Sequence, residues 1–302
     1  MKKLTLIALF AVSILAACKK DKDQNPEYVN ASDFKTKYNV PTQSFTETAG
    51  AAFSITGEKG IKLNFPSNAF LDANGNPVSG NIKLTLKEVL SKKDILLSGK
   101  MTESNGQLLV SGGEFEIIAT KDGQKLKLNP AADIITRVPK TLSSEPMDLF
   151  IFAPGLAGDS TWTQVQKRTQ GTPEYYEFVL PGFGWVNCDY FYNDPRPKTT
   201  ITVSPTFTGA SPNIKDQSVY LIFDDLNTVV GLPFNIDLNK HQSYLNSMPI
   251  GLTAKLAIIS VDVNDRIYFG ETTLTISENL HLDVPVNLAS QTVLDNYLNS
   301  LD

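Results

Sequence analysis

The feature that most restricts what this chain can fold into is a two-residue apolar period, repeated in short runs along most of its length. Ile61, Leu63 and Phe65 fall on one side of residues 60–65, and Ile82, Leu84 and Leu86 do the same in 81–87. Successive side chains of an extended strand point to opposite faces, so each run buries one face and wets the other. Between these two runs, Asp72, Asn74, Gly75, Asn76 and Pro77 tolerate positive φ or break ladders, which makes 72–77 a turn. Phe115, Ile117 and Ala119 lead into Asp122-Gly123, after which Leu126 and Leu128 resume, and Asp-Gly between alternating runs signals a hairpin. Further strands are expected at 147–153, 162–165 and 175–180. Turn formers and two prolines, Pro195 and Pro197, stiffen 192–197 into a linker. Beyond it the strand pattern restarts at 200–203, 219–223, 234–238, 252–263, 267–276 and 280–286. Helical spacing is confined to the tail, where Ser290 caps a segment carrying Val293, Leu294, Tyr297, Leu298 and Leu301. The expectation is an all-β chain of tandem β-sandwiches with a short C-terminal helix.

A hydrophobic content of 41% with 20% charged residues supplies sizeable cores, and 302 residues suit about two domains. The net charge of −5, without a basic patch, argues against nucleic acid as partner. The two cysteines are Cys18 and Cys188.

The first 17 residues break the alternating pattern. Lys2 and Lys3 precede an apolar run from Leu4 to Ala17, which has the layout of a secretory signal. The run is too short to cross roughly 30 Å of hydrocarbon as a permanent helix. Leu15-Ala16-Ala17-Cys18 resembles the lipobox of bacterial lipoproteins, and that resemblance implies cleavage before Cys18 and acylation of its thiol. Several acyl chains hold a protein on a membrane because each buried CH₂ contributes about 0.8 kcal/mol. With Cys18 lipidated, Cys188 has no intramolecular disulfide partner. Lys19, Lys20, Asp21, Lys22 and Asp23 follow as a mixed-charge tether with nothing apolar to bury. Lysine directly after the cysteine lacks the inner-membrane retention signal of some bacteria, and the nearby acids resemble a surface-export signal of Bacteroidetes lipoproteins. The implied location is the bacterial cell envelope, in the outer membrane, with its surface-exposed side open.

GIKLNFPSNAFLDANGNPVSGNIKLTLKEV, continuing through ILLSGKMTESNGQLLVSGGEFEI, resembles the N-terminal module of a group of Bacteroidetes surface lipoproteins distantly similar to ZU5 β-sandwich domains. The resemblance spans about Phe45 to Asp194 and ends in FGWVNCDYF, similar to a Gly-Trp-x-Asn-x-Asp motif of that group. Most of the group has no assigned activity. Some ZU5-containing proteins cut themselves at His-Phe-Ser, which does not occur in this sequence, so self-cleavage does not carry over. The resulting plan is a signal peptide at 1–17, a lipidated N terminus and tether at 18–44, a ZU5-like sandwich region at 45–194, and an immunoglobulin-like sandwich with the terminal helix at 195–302.

Catalytic and metal-binding patterns are thin. His241 and His281 are the only histidines and stand about 40 residues apart, without a Cys, Asp or Glu at ligand spacing. Asp72-Ala73-Asn74-Gly75-Asn76 starts like a calcium loop, but its glycine comes two positions early and Lys83 stands in place of the bidentate glutamate. Asp224-Asp225-Leu226-Asn227 and Asp262-Val263-Asn264-Asp265 lie between strands, where such residues bond nearby backbone. No Gly-x-Ser-x-Gly, phosphate loop or His-Glu-x-x-His is present, and no cofactor is expected. One strand is richer. In 184–192, Val186, Cys188, Tyr190 and Tyr192 share a core-like face, while Trp185, Asn187, Asp189 and Phe191 share the other. The aromatic plate, amide and carboxylate of Trp185, Asn187 and Asp189 make either a sugar- or peptide-binding face or a joint between sandwiches, and exposure separates the two. The function expected is a non-enzymatic binding or scaffolding module, attached to a membrane by its lipid and meeting an envelope protein or glycan. A hydrolase acting on envelope or extracellular polysaccharide or peptide is the alternative.

Overall fold

The computed structural model describes residues 28–154, 160–167, 169–209 and 211–301. The first unit is a sandwich of two sheets. One runs Gln43–Ala49, Gly80–Val89, Gln107–Lys121, Gly184–Phe191, Asp148–Pro154, Ser160–Gln166, with every neighbour antiparallel. The other runs Gln170–Gly171, Tyr175–Val179, Ile135–Pro139, Lys62–Phe65, Phe53–Thr56. The alternation explains the core between them: Ile82, Leu84 and Leu86 face Leu63, Phe65, Val138 and Phe178 in one buried cluster, with Phe115, Ile117 and Val186 beside them. The expected turn is built on Asp72, whose carboxylate accepts from the Asn74 and Asn76 amides at 2.8 Å each. Asp122 and Gly123 both take positive φ, 48° and 80°, closing the expected hairpin.

The second unit is one curled eight-stranded sheet in the order Val229–Gly231, Ile214–Phe223, Thr253–Asp262, Ile267–Thr275, His281–Leu288, Thr202–Phe207, Lys240–Gln242, Phe234–Asn235. Thr202–Phe207 runs parallel to His281–Leu288, and the other neighbours are antiparallel. The seam between Ile267–Thr275 and His281–Leu288 consists of the pairs Tyr268↔Leu288 and Phe269↔Asn287. At that seam the sheet folds over its own core, so Val203, Val284 and Val286 pack with Leu221, Leu256 and Ile258. The class is an all-β sandwich fold.

Ser290 caps the tail helix Gln291–Asn299 by accepting from the Val293 amide, as its sequence suggests. Two short helices lie outside the expected pattern. Lys92–Ser98 is capped by Ser91, which accepts from the Asp94 amide at 3.2 Å, and it ends on Gly99 in the left-handed region. Ala31–Lys37 corrects the reading of 18–44 as tether, because the chain belongs to the folded body from Val29 onward. Val29, Ala31 and Val40 are buried with Ile267, Leu294 and Leu298, and the Ile267 amide donates to Val29 O at 2.9 Å. The helix carries Asp33, Lys35 and Lys37 and few apolar residues, so its burial depends on partners more than two hundred positions away.

This third cluster joins the units, since Val89, Ile95 and Leu96 of the first meet Ile222, Val229 and Ala257 of the second. Backbone and side-chain bonds reinforce the joint. Thr102 N donates to Val229 O at 2.8 Å, Ser111 N to Asn227 O at 3.0 Å, and Thr228 Oγ1 to Leu109 O at 2.7 Å. Among the described residues no helix is long and apolar enough to cross a membrane.

Candidate functional site

Cys18 lies outside the described residues. The other expected site residues sit on Gly184–Phe191, in the middle of the larger sheet. Val186, Cys188 and Tyr190 do point into the sandwich core, where burial pushes the Cys188 thiol well above its usual range. The opposite face is not open to solvent: Asn187 and Asp189 have no exposed surface, and Trp185 is half-buried against both the joint cluster and Leu109, Phe150 and Trp162. Lys87 and Lys100 stand 5.8 and 5.7 Å from the Trp185 ring centroid. Of the two readings of these three residues, their burial favours the joint. Period two assigns Trp185 and Asp189 to the non-core face of their own sandwich, and the second unit then covers that face.

The joint holds two buried acids. Asn187 is the register partner of Glu114, and its Nδ2 donates to Asp189 Oδ2 at 2.7 Å. Glu114 Oε1 accepts from Ser98 Oγ at 3.2 Å. Burial, and after it the charge of Asp189, raises the Glu114 carboxyl well above the carboxylate range, while burial pushes Asp189 to about 7. No opening reaches them among the clefts described below, so they stiffen the joint without offering a surface.

The accessible features lie elsewhere. Among the described residues ten large apolar side chains are exposed, and five of them, Phe234, Ile236, Leu238, Tyr244 and Leu245, fall within residues 234–245. Ile236 and Leu245 are 83% and 74% exposed. Phe234–Asn235 is the open edge strand of the second sheet, and the segment continues through a turn and the neighbouring strand Lys240–Gln242. The sequence suggests a strand over 234–238, but pairing stops at Asn235, whose Oδ1 accepts from the amides of Asp237 and Leu238 and turns the chain back. Ile236 and Leu238 thus alternate in sequence yet project from a turn.

Among the described residues Tyr244 lines three clefts, two of which also take residues of the first unit. One, of about 480 Å³, lies between the units and is lined by Asn105, Gln107 and Asn193 on one side and by Lys198, Tyr244 and Asn246 on the other. The second, of about 350 Å³, includes Glu103, Ser160, Tyr220, Phe234 and His241. Burial pushes the Glu103 carboxyl up to about 7. His241 is buried, with Nδ1 at 2.8 Å from Leu232 O and Nε2 at 3.0 Å from Gln217 Oε1, and burial lowers its pKa. His281 is not part of this site. It pairs with Thr202 while His241 pairs with the next residue, Val203, so the two rings leave opposite faces of the sheet. Asp72 and Asp262 use their carboxylates on turn amides. Among the described residues no group of three or more His, Cys, Asp or Glu is placed to hold a metal ion.

The cleft residues are not legible in the sequence because they come from strand ends and loops far apart along the chain. Phe234, Ile236 and Leu238 have the period of a buried strand, so the sequence does not mark them as exposed. The chain matches no protein family, no curated protein and no solved structure.

Proposed function

We propose that this chain is a lipid-anchored bacterial envelope protein that works as a non-enzymatic binding or scaffolding module. Its leader and Cys18 supply the anchor. The observation that carries the binding role is the gathering of Phe234, Ile236, Leu238, Tyr244 and Leu245 on an open sheet edge beside two clefts. Single exposed apolar residues are ordinary, whereas a contiguous group marks an interaction surface. Rigid strands presenting loops suit recognition.

The alternative, a hydrolase, draws on one observation, the raised carboxyl of Glu103 in a cleft with His241. Hydrolysis of a glycoside by two carboxylates needs a second acid about 5 to 10 Å away, and among the described residues Glu103 is the one acid in the lining of that cleft. His241 has polar atoms against both ring nitrogens, which leaves neither directed at a substrate.

A photo-crosslinking residue at position 236 or 245, introduced into the full chain in cells, tests the reading. A discrete adduct, lost in the Ile236→Ser and Leu245→Ser double variant, is the expected result. An adduct-free chain at both positions would overturn recognition through this edge.

A further inference from the structure

We infer that the cleft between the two units is a binding site for a neutral glycan, an inference that rests on the recognition role proposed above and names the ligand class. Asn105, Gln107, Asn193 and Asn246 are all exposed there, and none of their side-chain amides bonds another group among the described residues. An amide carries both donors and acceptors, so a ring of four unengaged amides matches a ligand whose hydroxyls do the same.

Backbone need accounts for only part of this set. Asn105 and Asn246 take positive φ, 47° and 48°, which asparagine tolerates, but Gln107 and Asn193 have no such reason to be there. Tyr244 supplies the apolar plate. Its ring rests on Gly106, where a Cβ would come within 2.8 Å of the ring Cγ, so only glycine lets the ring lie against the Asn105–Gly106 turn. The side chain remains 45% exposed. An aromatic plate with a polar tip packs against the C–H face of a sugar ring while amides bind its hydroxyls.

The charge balance narrows the class. Among the described residues Lys198 is the one charged residue lining the cleft, and no Asp or Glu lines it. A polyanion would need several cations, and a basic ligand would need carboxylates. An apolar peptide would favour the Phe234 to Leu238 edge over an amide-lined cleft. The volume, about 480 Å³, falls in the range of small-ligand sites.

The test is calorimetric titration of the mature chain with neutral oligosaccharides: α- and β-linked glucans, mannans, galactans and xylans. Binding of at least one class is expected. Tyr244→Ala and Asn193→Ala should each weaken it on the order of tenfold, equivalent to about 1.4 kcal/mol. Melting curves of each variant separate lost binding from lost folding, and Gly106→Ala, which displaces the ring without removing it, gives a second route to the same loss. Binding that survives Tyr244→Ala and Asn193→Ala overturns the inference. So does a full panel without heat of binding. If the cross-linker at position 236 or 245 still captures a partner, recognition stands and only the glycan assignment falls; if neither responds, both fall.

Discussion

Glu114 and Asp189, from adjacent antiparallel strands, both have no exposed surface, and each keeps one carboxylate oxygen, Oε2 and Oδ1, without a hydrogen-bond partner. Buried polar atoms are nearly always paired, so this pair is a local cost within the joint.

The first prediction concerns pH. Both acids hold their protons more tightly in the folded chain than in the unfolded one, Glu114 well above the carboxylate range and Asp189 to about 7. Between about pH 4 and 7 the native state therefore binds more protons, and stability contributed by the pair falls as pH rises through that window. This is opposite in sign to a salt-bridged carboxylate. Glu114→Gln should flatten the fall and raise stability at pH 8 by about 1 to 3 kcal/mol, the usual cost of an unmade buried polar contact. Denaturant melts at pH 5 and 8 would check it, and an unchanged pH slope would sink it.

Trp185→Ala should weaken the fold. The indole touches two apolar clusters and lies near two ammonium groups, so truncation should cost about 3 kcal/mol, the lower end for a large aromatic because it is only half-buried. A loss below about 0.5 kcal/mol by chemical denaturation would place the residue on the surface instead.

Glu88 is a buried clamp. Its carboxylate accepts from Gln43 Nε2 at 2.8 Å and from the backbone amides of Lys59 at 2.8 Å and Ile61 at 2.9 Å. Gly57 leaves it room, since a Cβ there would stand 2.4 Å from the carboxylate. Glu88→Ala orphans the buried Ile61 amide as well as the part-buried Lys59 amide, and should cost about 1 to 3 kcal/mol. Gly57→Ala should also lower the melting temperature, and a silent Gly57→Ala would show that the carboxylate is free to move.

Cys18→Ser should abolish acylation and move the protein to the soluble fraction. Metabolic labelling with a fatty acid reads this directly. Label retained on the variant would rule out the lipid anchor at this position.

Local pattern was enough for much of this protein. Ile82, Leu84 and Leu86 reveal their strand by period two, Asp122-Gly123 its hairpin by the φ values those residues tolerate, and Ser290 its helix by a capping hydroxyl. Even the Lys92–Ser98 helix had its signals, with Ser91 and Asp94 at the start and Gly99 at the end. These features depend on neighbours within a few positions, so the amino-acid order alone determines them. What tertiary structure alone decided is which faces remain wet. Trp185, Asn187 and Asp189 alternate like a solvated face and are covered by another unit, while Phe234, Ile236 and Leu238 alternate like a buried face and stand exposed. The physical reason is that period two separates the two sides of a strand without saying what packs on either. Burial at the joint comes from contacts such as Ser111 with Asn227, 116 positions apart, which no local pattern can register.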